Sequence, residues 1–337
     1  MRGVAILAGP QAETRDYPDP TPAGDKVVVR VEAAGLCGTD LRNLYQKDWA
    51  GIAIPGHEGA GTVVAVDTAS RVKVGDRVFM MAFGGCGHCP ACQRGQATYC
   101  KSDQAGMHGF TLDGFQAEFA LVAESQLVPL PDAMTFEQGA ITMDPIGTPY
   151  HSLKRMGLAA EHTVGVFGCG PMGLGGVMIA AYKGCRVIGI EPVAYRRELA
   201  LTLGATDVID PTGGDVAERI MELTHGHGLD RALECSGQSS ALTAALDAAA
   251  TFGHVGIIAE NNEATINPSS QFNRKELTLS GSTVFALPEF DEMAALYAEG
   301  LAPERMITHR VGLEDCDATY QMFAAGDTGK VLFTPNG

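Results

Sequence analysis

Short runs of apolar residues, alternating with polar ones or clustered, mark the first part of the chain: Val27–Val31, Gly61–Val66, Arg77–Met81 and Phe119–Val122. Gly, Pro and Asp punctuate them, and this is the signature of β-strands separated by tight turns. The stretch from Gly84 to Lys101 interrupts the pattern and has almost no periodicity of its own. Near Pro145–Gly157 the character changes, and apolar strands begin to alternate with amphipathic stretches. Strands are predicted at Thr163–Phe167, Arg186–Ile190, Asp207–Ile209, Leu229–Glu234, His254–Ile258 and Leu277–Ser282. Helices are predicted between them at Pro171–Lys183, Tyr195–Leu203, Val216–Thr224 and Ser239–Ala250. Such alternation implies parallel strands joined by crossover helices. A last helix, Pro288–Glu299, and short strands at Arg310–Val311 and Lys330–Phe333 are placed to return to the first part. The expected organisation is therefore a β-rich domain over 1–150, a doubly wound α/β domain over 151–287, and a return segment over 288–337.

Composition changes this picture only by exclusion. The chain has 337 residues, 45% of them hydrophobic, enough for two cores. Its formal charge of −16 opposes binding to nucleic acid or to an anionic membrane surface. No targeting segment is read in the opening MRGVAILAGP, and no apolar run reaches the roughly 20 residues of a membrane span. Nine cysteines in clustered spacing fit metal ligation in a reducing compartment better than a disulfide framework, so a cytoplasmic location is expected.

The chemistry is concentrated in a few places. Cys86, Cys89, Cys92 and Cys100 lie within one short run, spaced to close a tetrahedral sulfur shell around one zinc ion. A closed shell leaves no corner for substrate, so this metal is structural; it also supplies order that the run cannot draw from an apolar face. An iron–sulfur cluster is the rival, opposed by the seven-residue gap and by the absence of Pro after Cys100. A zinc module for nucleic acid is opposed by the charge. Gly168-Cys169-Gly170-Pro171-Met172-Gly173 follows a strand and opens a helix, as a dinucleotide loop requires. Gly168 permits the turn, Gly170 lets backbone approach a pyrophosphate, Gly173 allows close packing, and Pro171 suits the first helical turn. Glu191 ends the next strand where a carboxylate meets the adenosine ribose, which favours NAD over NADP. Arg196 and Arg197 follow and soften that preference. Cys37, His57, Glu58 and Asp144 supply one thiolate, one imidazole and two carboxylates, a donor set suited to zinc.

Read together, CGTD at Cys37, GHE at His57, the four-cysteine run, VGDRV at Val74, GCGPMG, Glu191 and the closing GKVLF resemble the zinc-dependent medium-chain alcohol dehydrogenases along essentially the whole chain. The ligand set is similar to the sorbitol, threonine and secondary-alcohol branch. The resemblance implies a GroES-like domain followed by a Rossmann domain, with the active site in the cleft between them. It implies a catalytic zinc on Cys37, His57 and Asp144, with Glu58 a ligand that comes and goes. It makes Thr39 the hydroxyl that takes the substrate proton. The position two residues after Asp40 often holds a proton-relaying His. Arg42 stands there instead, and a guanidinium cannot accept a proton, so it is assigned to cofactor phosphate.

The expected activity is reversible hydride transfer from a secondary alcohol, polyol or cyclitol to NAD, in a homodimer or homotetramer. The alternatives are a ketone reductase using NADPH and a catalytically inactive dinucleotide- and zinc-binding protein. Cys37, Glu58 and Asp144 carry three negative charges against zinc's two, which predicts that Glu58 leaves the metal when substrate binds.

Overall fold

The computed structural model describes residues 1–47, 53–68, 71–103, 105–260 and 263–337. The chain folds as two compact units. The first comprises Met1–Met143, Ala286–Glu299 and Ile307–Gly337; the second comprises Asp144–Phe285 and Gly300–Met306.

In the first unit the long strand Lys26–Leu36 is the organising element. It pairs antiparallel with Glu58–Ala65, with Phe119–Ala123 and with Lys330–Phe333. Arg77–Met80 and Leu127–Pro129 extend the sheet on one side, and Ile307–Val311 extends it on the other. Val27, Val29, Val31, Val63, Val78, Met80 and Phe333 fill the core, all fully out of solvent. β-Branched residues suit this half-buried pleated surface. A separate hairpin, Arg2–Leu7 with Gln11–Asp16, precedes the sheet. The sequence reading placed no strand there, because QAETRD carries too few apolar residues to show a period. Asp67, unexplained by sequence, accepts the Gly24 N–H at 3.0 Å and ties two turns together.

In the second unit the strand order is Asp207–Ile209, Arg186–Ile190, Thr163–Phe167, Leu229–Glu234, Ala249–Ile257, Thr278–Gly281, and every pairing is parallel. The sheet reverses its build direction beside Thr163–Phe167, the switch point at which doubly wound sheets bind nucleotides. The GroES-like and Rossmann architecture expected from the sequence is what forms. Several element ends shift by one to a few residues, and one shift changes the type of element. The helix predicted over Ser239–Ala250 ends at Ala248, and a strand begins at Ala249, paired with Leu229. Three successive alanines favour helix locally, but sheet pairing outweighs that weak preference. Gly228, at φ +89°, makes room for the switch: a Cβ there would lie 2.6 Å from the Ala248 carbonyl oxygen.

Candidate metal centres and dinucleotide site

The four lobe cysteines lie together, their sulfur atoms within 4.8 Å of one another. None of the residues from Cys86 to Tyr99 is buried, so the lobe has no apolar core of its own. Beside the backbone bonds of the short helix Pro90–Gln93, sulfur contributes to its local order. The Cys86 N–H donates to Cys100 Sγ and the Cys89 N–H to Cys86 Sγ, each at 3.4 Å. Ser102 Oγ lies 3.1 Å from Cys100 Sγ, and this hydroxyl with nearby N–H groups holds the Cys100 thiol down at about 6. Burial pushes the Cys92 thiol up to about 12. Gly85 permits the packing, since a Cβ there would sit 2.7 Å from Cys92 Sγ. Four sulfurs at this spacing, two of them already accepting N–H donors, fit a tetrahedral zinc.

The second cluster brings ligand atoms of Cys37, His57, Glu58 and Asp144 within 4.8 Å of one another. Cys37 follows directly on the end of strand Lys26–Leu36, and Glu58 starts the neighbouring strand. Register places Glu58 opposite Gly35, whose missing side chain is a requirement: a Cβ would lie 2.0 Å from Glu58 Oε2. Asp144 sits in a π-helical turn, Thr142–Ile146, that contains Pro145, and accepts from the Thr148 hydroxyl at 2.7 Å. Thr39 Oγ1 stands 3.6 Å from Cys37 Sγ. One soft thiolate, one borderline imidazole and two hard carboxylates converge, and this donor set fits zinc.

Several supporting residues carried no readable signal in the sequence. Lys330 is fully buried, 2.6 Å from Glu58, and also donates to the Leu36 carbonyl at 2.8 Å. Its charge offsets that of Glu58, so the excess of negative charge counted from sequence has a partner within the protein. Asp40, fully buried, lies 3.3 Å from His57 Nδ1 and accepts the Cys37 N–H at 3.0 Å. Phe110 packs its ring 5.8 Å from His57. His108 is buried against Phe115, with Nδ1 2.6 Å from the Asp113 carbonyl oxygen. Burial lowers its pKa below the ordinary value.

The dinucleotide loop has the geometry its glycines demand. Gly168 adopts φ +89°, and a Cβ at Gly173 would lie 1.8 Å from the Gly168 carbonyl oxygen. Gly170 is the extended residue before helix Pro171–Tyr182, in which Met172 occupies the first turn, and it is uncrowded: the nearest atom to a Cβ would be Arg196 Nη1 at 3.9 Å. That places a guanidinium beside the glycine turn. Glu191 is buried; it accepts the Cys169 N–H at 2.8 Å and the Val193 N–H at 3.0 Å, so strand end and loop are locked together. The two arginines divide. Arg197 is committed to the Glu191 and Pro192 carbonyls and to Asp210, and it is a structural residue. Arg42 lies in the turn Leu41–Tyr45, with Gly38 leaving space for its guanidinium.

A mixed-donor metal cluster and a dinucleotide loop in one chain belong to reactions that need a Lewis acid and a hydride carrier together, and that is the class of zinc-dependent, NAD(P)-linked oxidoreductases. Comparison with known proteins agrees. Residues 23–132 match the alcohol dehydrogenase GroES-like domain, and residues 171–299 match the zinc-binding dehydrogenase family. The chain is 33% identical over 347 residues to the uncharacterized zinc-type alcohol dehydrogenase-like protein YphC of Escherichia coli K12, covering 98% of each. It is 32% identical over 349 residues to an L-threonine 3-dehydrogenase of Symbiobacterium thermophilum, covering 100% of this chain and 98% of the other. A zinc-binding dehydrogenase structure from Sinorhizobium meliloti 1021, bound to NADP, superposes with a TM-score of 0.88 at 30% identity over 99% of both chains. The chain belongs to the zinc-type medium-chain dehydrogenase/reductase family, related to the threonine and alcohol dehydrogenases. It is a zinc-binding, NAD(P)-linked oxidoreductase with two metal clusters, acting on an alcohol-type substrate.

Proposed function

We propose that this chain oxidises a secondary alcohol group, on a polyol, a cyclitol or a β-hydroxy acid, to a ketone with NAD, reversibly. The observation that carries the proposal is the convergence of Cys37, His57, Glu58 and Asp144 in a chain that also holds a dinucleotide loop. Zinc on the cluster supplies the Lewis acid that makes an alcohol acidic near neutral pH, and the nicotinamide supplies the hydride acceptor. Cys37, His57 and Asp144 are assigned as the lasting ligands. Glu58 is assigned as the adjustable one, because Lys330 gives its carboxylate an alternative partner at 2.6 Å. Thr39 is assigned to relay the substrate's proton: its hydroxyl, which stands beside Cys37 Sγ, would take that proton while passing its own to the cofactor ribose. Arg42 is a fixed cation and does not continue that relay; its role is to hold cofactor phosphate. Gly168, Gly170, Pro171, Met172 and Gly173 form the turn that binds the pyrophosphate, Pro171 shaping the start of the helix and the others offering backbone N–H groups, with Arg196 alongside. Glu191 orients the ribose and repels a 2′-phosphate, which selects NAD. The inclusion of β-hydroxy acids follows from the likeness to a protein named L-threonine 3-dehydrogenase.

The test is zinc content by elemental analysis together with NADH formation across a panel of secondary alcohols, polyols, cyclitols and L-threonine. Two zinc ions per chain and turnover with at least one secondary alcohol are expected. A single zinc, or NAD binding with no turnover anywhere on the panel, would overturn the proposal.

A further inference from the structure

We infer that Gln116 and Tyr320 are positioning residues of the Cys37–His57–Glu58–Asp144 cluster, acting through Asp40. The inference rests on the reading of that cluster as the zinc site. Asp40 is in contact with two ligands at once: one oxygen accepts the Cys37 N–H at 3.0 Å, and the other lies 3.3 Å from His57 Nδ1. A carboxylate behind a metal-binding imidazole fixes the ring's tautomer and direction. Something must in turn hold the carboxylate. Gln116 Nε2 lies 3.5 Å from Asp40 Oδ2, and Gln116 Oε1 accepts from the Tyr320 hydroxyl at 2.8 Å. All three side chains are fully out of solvent. The order Tyr, Gln, Asp is chemically directional. Burial raises the Tyr320 pKa well above its ordinary value, so the phenol stays a donor. A carboxylate can only accept, so the amide between them has one productive orientation.

Each outer member is itself anchored. The Tyr320 ring stacks on Tyr45 at 4.8 Å, and Tyr45 donates to Asp317 at 3.0 Å. The Gln116 backbone bonds Pro55 through its N–H and Val4 through its carbonyl. Gly56, at φ +97°, leaves the side chain its channel: a Cβ there would lie 2.7 Å from Gln116 Cγ. An apolar side chain would fill this space equally well if packing were its only purpose. A buried amide with both ends paired instead transmits a fixed geometry.

The experiment uses the zinc-loaded enzyme with Gln116→Leu and Tyr320→Phe. Zinc release to a chromogenic chelator is followed, the four-cysteine zinc serving as an internal control, and the visible spectrum is recorded after cobalt is exchanged into the mixed-donor site. Direct partners of ligating histidines change metal affinity by about 10- to 100-fold. One bond further out, about three- to tenfold faster loss from the mixed-donor site is expected, with a shifted cobalt spectrum and an unchanged four-cysteine zinc. Should Gln116→Leu fail to fold, Tyr320→Phe, which removes one oxygen, carries the test alone. Unchanged zinc release and an unchanged cobalt spectrum in the folded variants would overturn the inference. Equal acceleration at both zinc sites would also overturn it. A wild-type chain that holds only the four-cysteine zinc would instead sink the reading of the cluster itself.

Discussion

Replacing Lys330 with Met removes a buried ammonium while keeping the length of its stem. Both Lys330 and Glu58 are fully excluded from water, and the pair is 2.6 Å apart. Nothing in solvent can screen the carboxylate left behind, which lies against Gly35 in the space a side chain there would fill. Removing one partner of such a pair costs about 3–5 kcal/mol, most of it the penalty of an uncompensated buried charge. The lost bond to the Leu36 carbonyl lies within that figure. The pair is best isolated by a double-mutant cycle: Lys330→Met, Glu58→Gln and the double variant, unfolded with urea in zinc-replete buffer so that the cysteine lobe stays ordered. The double variant carries no stranded charge. It should therefore be clearly more stable than Lys330→Met alone, with a coupling energy above about 2 kcal/mol. Strictly additive losses would mean that Glu58 is compensated by another group, and the role given to Lys330 would fall.

Other consequences are as open to measurement. Cys92→Ser should leave one zinc per chain and make 84–101 the first site of cleavage in limited proteolysis; survival of both metals would contradict the assignment of the lobe. Zinc uptake by the lobe should strengthen as pH rises through neutrality, because the Cys92 thiol, pushed up to about 12, must surrender a proton to the metal; a pH-independent affinity in competitive titration would argue against it. Glu191→Ser should raise the ratio of kcat/KM with NADP to that with NAD by about tenfold or more, the repulsive carboxylate being gone; an unchanged ratio would remove Glu191 from cofactor selection. His108 has a depressed pKa in the fold, so the unfolded chain binds its proton first as pH falls. Its share of stability is full above pH ~6.5 and declines below that, and His108→Asn should flatten the stability curve between about pH 6.5 and 5.

The fold was legible where the chain repeats itself. Alternating strands and helices from Thr163 to Ser282 carry their own periods, and GCGPMG sits where a strand meets a helix. The metal donors were legible as residue types at a familiar spacing. What supports them was not. Lys330 reads as a surface cation in GKVLF until the antiparallel pairing of Val331 with Leu36 turns it inward. Gln116 and Tyr320 are 204 residues apart, and no local pattern joins them. Gly35 looks like any glycine near a strand end; only register places it under Glu58. Charge counting suffered for the same reason, since it saw three anions around a dication and missed the buried ammonium. The hairpin Arg2–Leu7 with Gln11–Asp16 was lost because its second strand is largely polar, and sheet pairing, not burial, defines it.

From Cys86 to Tyr99 no residue is buried, and beyond a few backbone hydrogen bonds the stretch has only its sulfurs to hold its shape. A molecule synthesised under zinc starvation would thus emerge with this stretch loose and its sulfurs bare, open to oxidants and peptidases, while the sheets around it were already formed. Maturation of the enzyme is in that sense tied to the metal supply of its surroundings, through a stretch whose own metal cluster is closed by four sulfurs.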